Sequence, residues 1–301
     1  MIMSDRIGLG TAQWGMRYGI SNKVGMASSS EVQSILYDAE GVGRIIDTAF
    51  SYGKSEQVLG AYDLEKLKYR LITKTDPLRN NNISSSDIPL KVRSDLIKSL
   101  SKLKISQLYG LMVHHASDLL GEHGQVLWNE LVDLKSEGLV SKIGCSFYSP
   151  EEFFKLANKF DFDLVQIPFN IFDQRYIVSG MAEYTFLKNI EVHLRSIFLQ
   201  GLLLVDSDSI IKMPTSFLEK YRCFESICID SGYDKFTLAL MFALETKFQE
   251  SLIIGTELFS QWKHLKNTAN RKIKLTNEIY SRLVNLKIND EKVINPSLWN
   301  Q

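Results

Sequence analysis

The chain has 301 residues and balances 35 Lys+Arg against 35 Asp+Glu, a formal net charge of zero. Its 45% hydrophobic and 23% charged content is ordinary for a globular protein with a sizeable core. The missing basic surplus argues against a general nucleic-acid binder, since affinity for phosphate backbones comes from Lys and Arg. Length alone allows two domains, or one α/β barrel of roughly 250 residues with insertions.

The longest nearly uninterrupted apolar stretch, 236–244, is about half the roughly 18 residues of a membrane span. The opening MIMSDRIGLG lacks the basic start, apolar core and small-residue cleavage site of a secretory signal. Three cysteines, Cys145, Cys223 and Cys228, without a C-x-x-C pair, predict reduced thiols in a cytoplasmic protein rather than a disulfide framework or a zinc site. Cys145, on an apolar run, reads as inert core.

In chain order, short apolar runs rich in β-branched residues predict buried strands at 6–12, 44–47, 70–74, 108–114, 141–146, 164–167, 191–196 and 251–255. Helical patterns lie between them. Ser28 to Ser30 cap a helix that carries Val32, Ile35 and Leu36 inward. Val92, Leu96, Ile97 and Leu100 share one face of a helix over 92–102. Ser149-Pro150-Glu151-Glu152 combines an N-cap, Pro at the first helical position and acids in the first turn. Patterns over 236–248 and 258–266 supply the last two long helices. The stretch 76–89, rich in Asn and Ser, reads as a surface loop. The stretch 205–232 reads as a long loop with a short helical piece near 216–221, placed to cover a binding site.

Eight strands, each followed by a helix and with no composition break, predict a single-domain (β/α)8 TIM barrel over 1–301, with covering loops at its C-terminal face. The alternative, an open doubly wound sheet, normally carries G-x-G-x-x-G after its first strand. Here Gln13 stands where the third glycine belongs.

In such a barrel chemistry sits where strands end. Asp47, Lys74 and His114 each close an apolar strand, and Tyr52 follows Asp47 in the next loop. Such groups are costly if desolvated alone, so they are expected to meet one another or a ligand. A tyrosine with a free pKa of about 10 is a poor acid near neutrality. A lysine beside it is expected to lower that pKa, a carboxylate to anchor the lysine, and a histidine to orient a carbonyl oxygen. This set reduces a carbonyl, with Tyr52 delivering the proton. No side chain donates hydride, so a nicotinamide cofactor is required.

At these residues the sequence resembles the aldo-keto reductase superfamily over nearly its whole length. The resemblance rests on Gly8-Leu9-Gly10-Thr11, on Asp47-Thr48-Ala49 with Tyr52-Gly53, on Ser55-Glu56 with Leu59-Gly60, and on Thr73-Lys74 and His114. It continues through Gly138-Leu139-Val140, Ile143-Gly144, Ser146, Gln166, Pro168, Asn170, Arg195-Ser196, Leu199-Gln200-Gly201 and Ile253-Ile254-Gly255. The resemblance implies a catalytic tetrad of Asp47, Tyr52, Lys74 and His114 and an NADP or NAD cofactor. Ser146 and Gln166 would hold the nicotinamide carboxamide, Asp47 would touch the ribose, and Arg195 would cover the ring. Ser196 and Phe198 to Gly201 would follow the pyrophosphate. Gly255, Thr256, Glu257 and Gln261 would reach the adenosine end, with Thr11 completing the set. The stretch around Arg195 resembles a branch associated with bacterial sugar and polysaccharide biosynthesis, which implies a sugar or nucleotide-sugar carbonyl as substrate.

The chain departs from the family pattern at Phe147, where an Asn is usual, and at Glu257 and Gln261, where members that prefer NADPH place basic residues. A carboxylate there would repel a 2′-phosphate and accept ribose hydroxyls, although Lys263 or His264 offers positive charge nearby. The nucleotide choice stays open between the family's NADPH and a local leaning to NADH. Trp14 is the best candidate for an apolar substrate wall, with Phe50, Tyr148 and Phe172 behind it, and His115 reads as pocket wall or as support for His114. Two other functions fit the same residues: a nicotinamide-binding, redox-sensing regulatory subunit, and a cofactor-free Schiff-base lyase or aldolase using Lys74.

Overall fold

The computed structural model describes residues 3–299 except 21, 41–43, 79–82, 211, 212 and 272. Eight parallel strands, β1 (Ile7–Gly10), β2 (Ile45–Asp47), β3 (Arg70–Lys74), β4 (Leu108–Val113), β5 (Val140–Ser146), β6 (Leu164–Pro168), β7 (Glu191–Arg195) and β8 (Ser251–Gly255), close in sequence order. β8 pairs back onto β1, with Gly10 opposite Gly255. The fold is a (β/α)8 barrel. Predicted and observed strands differ by a residue or two at their ends.

The helices that cross between strands are α1 (Ser29–Asp38), α2 (Ser55–Leu59), α3 (Ile88–Leu103), α4 (Gly124–Ser136), α5 (Pro150–Ala157), α6 (Met181–Leu187), α7 (Thr215–Ser231), α8 (Lys235–Glu245) and α9 (Phe259–Ala269), followed by α10 (Asn277–Val284). Their starts follow local chemistry. The Ser28 hydroxyl accepts from the Glu31 amide, Ser149 and Glu152 form a reciprocal capping box, and Asp234 accepts from Thr237 at 2.7 Å.

Two expectations need correction. The stretch 205–232 is not mainly loop, because α7 runs from Thr215 to Ser231 and buries Phe217, Tyr221, Phe224 and Ile227 at helical spacing. α10 also follows the two helices expected to be the last long ones, and docks against α7. Of the predicted 76–89 loop, residues 79–82 lie outside the described residues, and from Ile88 the chain is already helical.

The main apolar core fills the layer between strands and helices, while a small second cluster of Ile45, Ile72, Met112, Leu164 and Ile253 plugs the barrel interior. Side chains alternate across a strand, so a residue two positions on shares the inward face. That rule turns the plug into a pointer: Ile45 precedes Asp47, Ile72 precedes Lys74, Met112 precedes His114, Leu164 precedes Gln166 and Ile253 precedes Gly255 by two. The dry plug is the floor on which the polar strand ends stand. Among the described residues no helix is long and apolar enough to cross a membrane.

Candidate active site

At the C-terminal end of β2 and β3, Lys74 Nζ donates to both Asp47 oxygens at 2.6 and 2.8 Å and to the Thr48 carbonyl at 3.0 Å. Both side chains are nearly out of solvent, Lys74 at 1% exposure. Gln166 adds a third hydrogen bond to Asp47, its Nε2 lying 3.0 Å from Oδ2. A buried carboxylate is thus satisfied by a cation and an amide. Desolvation lowers the Lys74 pKa, Asp47 opposes that fall, and the Arg195 charge adds to it.

Tyr52 sits in the turn after β2, which packs directly against the backbone of residue 15. A Cβ on Gly15 would meet the Tyr52 carbonyl oxygen at 2.0 Å, so only glycine allows this approach. Lys74 Nζ lies 5.0 Å from the Tyr52 ring centre, and the His114 ring meets the phenol edge-on at 5.7 Å. His114 Nδ1 is 3.2 Å from Ser51 Oγ.

The expected lowering of the phenol by Lys74 is not seen. Burial raises the Tyr52 pKa, the Asp47 carboxylate raises it further, and Arg195 only partly offsets them. The Lys74 charge sits in contact with Asp47, whose own effect on the phenol is upward.

The remaining polar groups line one cavity of about 430 Å³ that runs from Tyr52 and His114 to Glu257 and Gln261. Ser146 and Gln166 stand on its wall as neighbours in register at the ends of β5 and β6. Arg195, closing β7, donates to Ser196 Oγ at 3.3 Å and to the Phe147 carbonyl at 3.1 Å, and its guanidinium lies 4.6 Å from the Tyr148 ring centre. The Phe147 ring is buried against Phe153 and Phe162 and offers the cavity no donor. Thr11 lines the cavity, but its hydroxyl donates to the Asp47 carbonyl and accepts from Ser55, tying β1 to β2.

Past β7 the chain curls tightly. Ser196, Leu199, Gln200 and Gly201 have φ of 61°, 48°, 54° and 89°. Three of these are not glycine, and such strain persists only where the surroundings enforce it, often beside a ligand site. Phe198 stacks on Phe236 at 4.8 Å, and Phe236 meets His264 at 4.5 Å.

On the opposite wall, Gly255 leaves room for Gln13, whose Oε1 lies 2.3 Å from where a Cβ would stand. The Thr256 hydroxyl is buried without a hydrogen-bond partner among the described residues. Gln261 Oε1 accepts from the Glu257 and Leu258 amides at 2.8 and 3.1 Å, and the Glu31 carboxylate accepts from the Phe259 amide. The amides of Leu258 and Phe259 at the start of α9 are therefore already engaged. Glu257 is buried, and that burial pushes its carboxyl up, against hydrogen bonds from its own amide and Gln261.

Trp14 is a correction: it does not line the cavity. It is 1% exposed, and its indole N–H needs a buried acceptor, which it finds in the Thr256 carbonyl at 2.9 Å. Phe50 carries Lys102 over its ring at 4.4 Å, and Phe172 packs on Phe217, so neither joins the wall, whereas Tyr148 does. His115 stacks between His114 at 4.6 Å and Tyr148 at 6.1 Å, supporting them instead of facing the cavity. Tyr18 and Phe236 line the cavity unanticipated, and His264, expected as a charge near Glu257, lines it too, whereas Lys263 does not. Tyr18 accepts from Gln200 Nε2 at 3.2 Å, joining the loop after β1 to the loop after β7. An aromatic just beyond a strand end was the one available signal.

No curated protein matches the sequence. Solved structures do share the fold. Aldo-keto reductase AKR11C1 from Bacillus halodurans, in its holo form, is 16% identical with a TM-score of 0.71 over 93% of this chain and 91% of its own. Glycerol dehydrogenase AKR11B4 from Gluconobacter oxydans is 22% identical with a TM-score of 0.68 over 93% and 90%. The family model described as Aldo/keto reductase family matches residues 6–288. With that match spanning a closed eight-stranded barrel, the chain belongs to the aldo/keto reductase family, whose members are oxidoreductases of carbonyl compounds.

Proposed function

We propose that the protein reduces the carbonyl of a small hydroxylated molecule using NADH, with Tyr52 as the proton donor. The observation that carries this is the buried Lys74–Asp47 pair 5.0 Å from the Tyr52 ring, on the wall of a cavity of about 430 Å³ that runs from Tyr52 to Gln261. When bound, a reduced nicotinamide supplies the hydride. The chain's own part is placement and protons. His114 and Tyr52 converge on one carbonyl oxygen, Tyr52 passes its Oη proton to that oxygen, and Arg195 stabilises the phenolate left behind. Lys74 and Asp47 hold this end rigid, and Ser146 and Gln166 stand ready for a carboxamide. Lys74 locked against Asp47 suits that role better than Schiff-base chemistry, which needs an unpaired amine.

The wall fits a dinucleotide at its other end as well. The orphaned Thr256 hydroxyl and the Glu257 carboxylate offer partners to a ribose diol. A 2′-phosphate would meet the Glu257 carboxylate and find the Leu258 and Phe259 amides already taken by Gln261 and Glu31, which favours NADH. Tyr18, Tyr148, His114 and Gln200 line the catalytic end with hydrogen-bonding groups, which supports a sugar-like carbonyl, and the neighbour from Gluconobacter oxydans is named for a polyol. Three unpaired thiols favour a reducing, cytoplasmic setting.

Fluorescence titration with NADH and NADPH tests the proposal. NADH should bind the tighter, and Glu257→Gln should narrow the gap by about tenfold, the size of one removed charge contact. Binding of neither nucleotide would overturn it.

A further inference from the structure

We infer that Arg195 sets the redox bias of the cofactor site, making it hold reduced nicotinamide in preference to oxidised nicotinamide. The inference rests on the NADH-dependent reading above. The charged side chains on the cavity wall are Asp47, Lys74, Arg195 and Glu257. Lys74 and Asp47 cancel in contact. Glu257 lies on the opposite wall, beyond β8, next to Gln261. Arg195 is different: its hydrogen bonds go to a hydroxyl and a carbonyl, its face rests on Tyr148, and no carboxylate pairs with it among the described residues. The catalytic end of the cavity therefore carries one uncompensated positive charge.

Arg195 reaches the reacting groups. It opposes the upward shift of Tyr52 and contributes to the downward shift of Lys74. A nicotinamide giving hydride to a carbonyl held at Tyr52 would occupy the part of the cavity that Tyr52, Ser146, Gln166 and Arg195 line together. Hydride loss leaves that ring one unit more positive, while the hydride goes to the carbonyl carbon and the Tyr52 proton to its oxygen. The fixed guanidinium therefore repels the oxidised ring and spares the reduced one. In a partly buried site the difference amounts to about tenfold or more in affinity. Tenfold corresponds to a shift of about 30 mV to more positive potential for the bound two-electron couple. Once Tyr52 has regained its proton from solvent, Arg195 would again favour the reduced form, so the site fills with it when both are present.

The test measures equilibrium dissociation constants for NADH, by fluorescence, and for NAD⁺, by displacement of NADH, on the wild type, Arg195→Gln and Arg195→Lys. The wild type should favour NADH by about tenfold or more. Arg195→Gln should bring the ratio close to one by tightening NAD⁺, and Arg195→Lys, which keeps the charge, should retain the preference. Equal affinity of the wild type for both forms would overturn the inference alone, as would a folded Arg195→Gln that keeps the ratio or an Arg195→Lys that loses it. Binding of neither nucleotide would overturn the cofactor reading and the inference with it.

Discussion

The two ends of the barrel are built from the same strands and behave differently. β3 carries Arg70 at one end and Lys74 at the other, β5 carries Lys142 and Ser146, and β7 carries Glu191 and Arg195. At the N-terminal end Glu191 takes the Tyr109 hydroxyl at 2.6 Å, Lys142 at 2.5 Å and His193 at 2.7 Å. That cluster bonds within itself, with His193 Nδ1 buried and unpartnered among the described residues, and it lines no part of the cavity. At the C-terminal end Asp47 is just as well satisfied, by Lys74 and Gln166, but its neighbours Tyr52, His114 and Arg195 face a cavity. A polar cluster inside a barrel is therefore not functional by composition. The N-terminal one is a brace away from any cavity, and the C-terminal one faces a space a ligand could fill.

Variants can break or sharpen that contrast. The largest effect belongs to the C-terminal end: Tyr52→Phe should lower kcat by about 10²- to 10⁴-fold, the usual worth of a general acid, while NADH still binds. Lys74→Met leaves Asp47 buried without its cation, and should cost about 3–5 kcal/mol in chemical denaturation besides abolishing turnover.

At the N-terminal end, Glu191→Gln should leave kcat/KM unchanged and affect stability alone. Burial by itself would raise the Glu191 carboxyl, yet bonds from His193, Lys142 and Tyr109 bring it down to about 2. A folded pKa below the unfolded value of about 4.3 stabilises above that pH and is lost as pH falls toward 2. The gap between wild type and variant should therefore be about 2–3 kcal/mol at neutral pH and shrink steadily between pH 4.3 and 2. A gap independent of pH would show that Glu191 acts through shape.

Much of this was legible in the sequence because the barrel writes its plan locally. Buried parallel strands appear as short apolar runs, and a charged residue closing such a run is conspicuous, as Asp47 and Lys74 are. What failed to read across depends on tertiary direction. Trp14 and Phe172 are aromatics near strand ends, and nothing local says whether the ring turns toward the cavity or the helix layer. α7 was underestimated because Glu219, Lys220, Arg222 and Glu225 dilute its apolar face. Tyr18 and Phe236 come from a loop and a helix brought together only by closure of the barrel. The upward shift of Tyr52 comes first from burial and then from Asp47, and burial of a loop side chain is set by tertiary packing that no local pattern shows.

The central claim is that the C-terminal end transfers hydride to a carbonyl. Its most direct test is incubation with NADH deuterated at the transferable position and a panel of hydroxyaldehydes, followed by mass spectrometry of the products. Deuterium on the carbinol carbon, formed by the wild type and lost with Tyr52→Phe, is the predicted result. Substrate consumed without deuterium transfer, with borohydride trapping it on Lys74, would contradict the account.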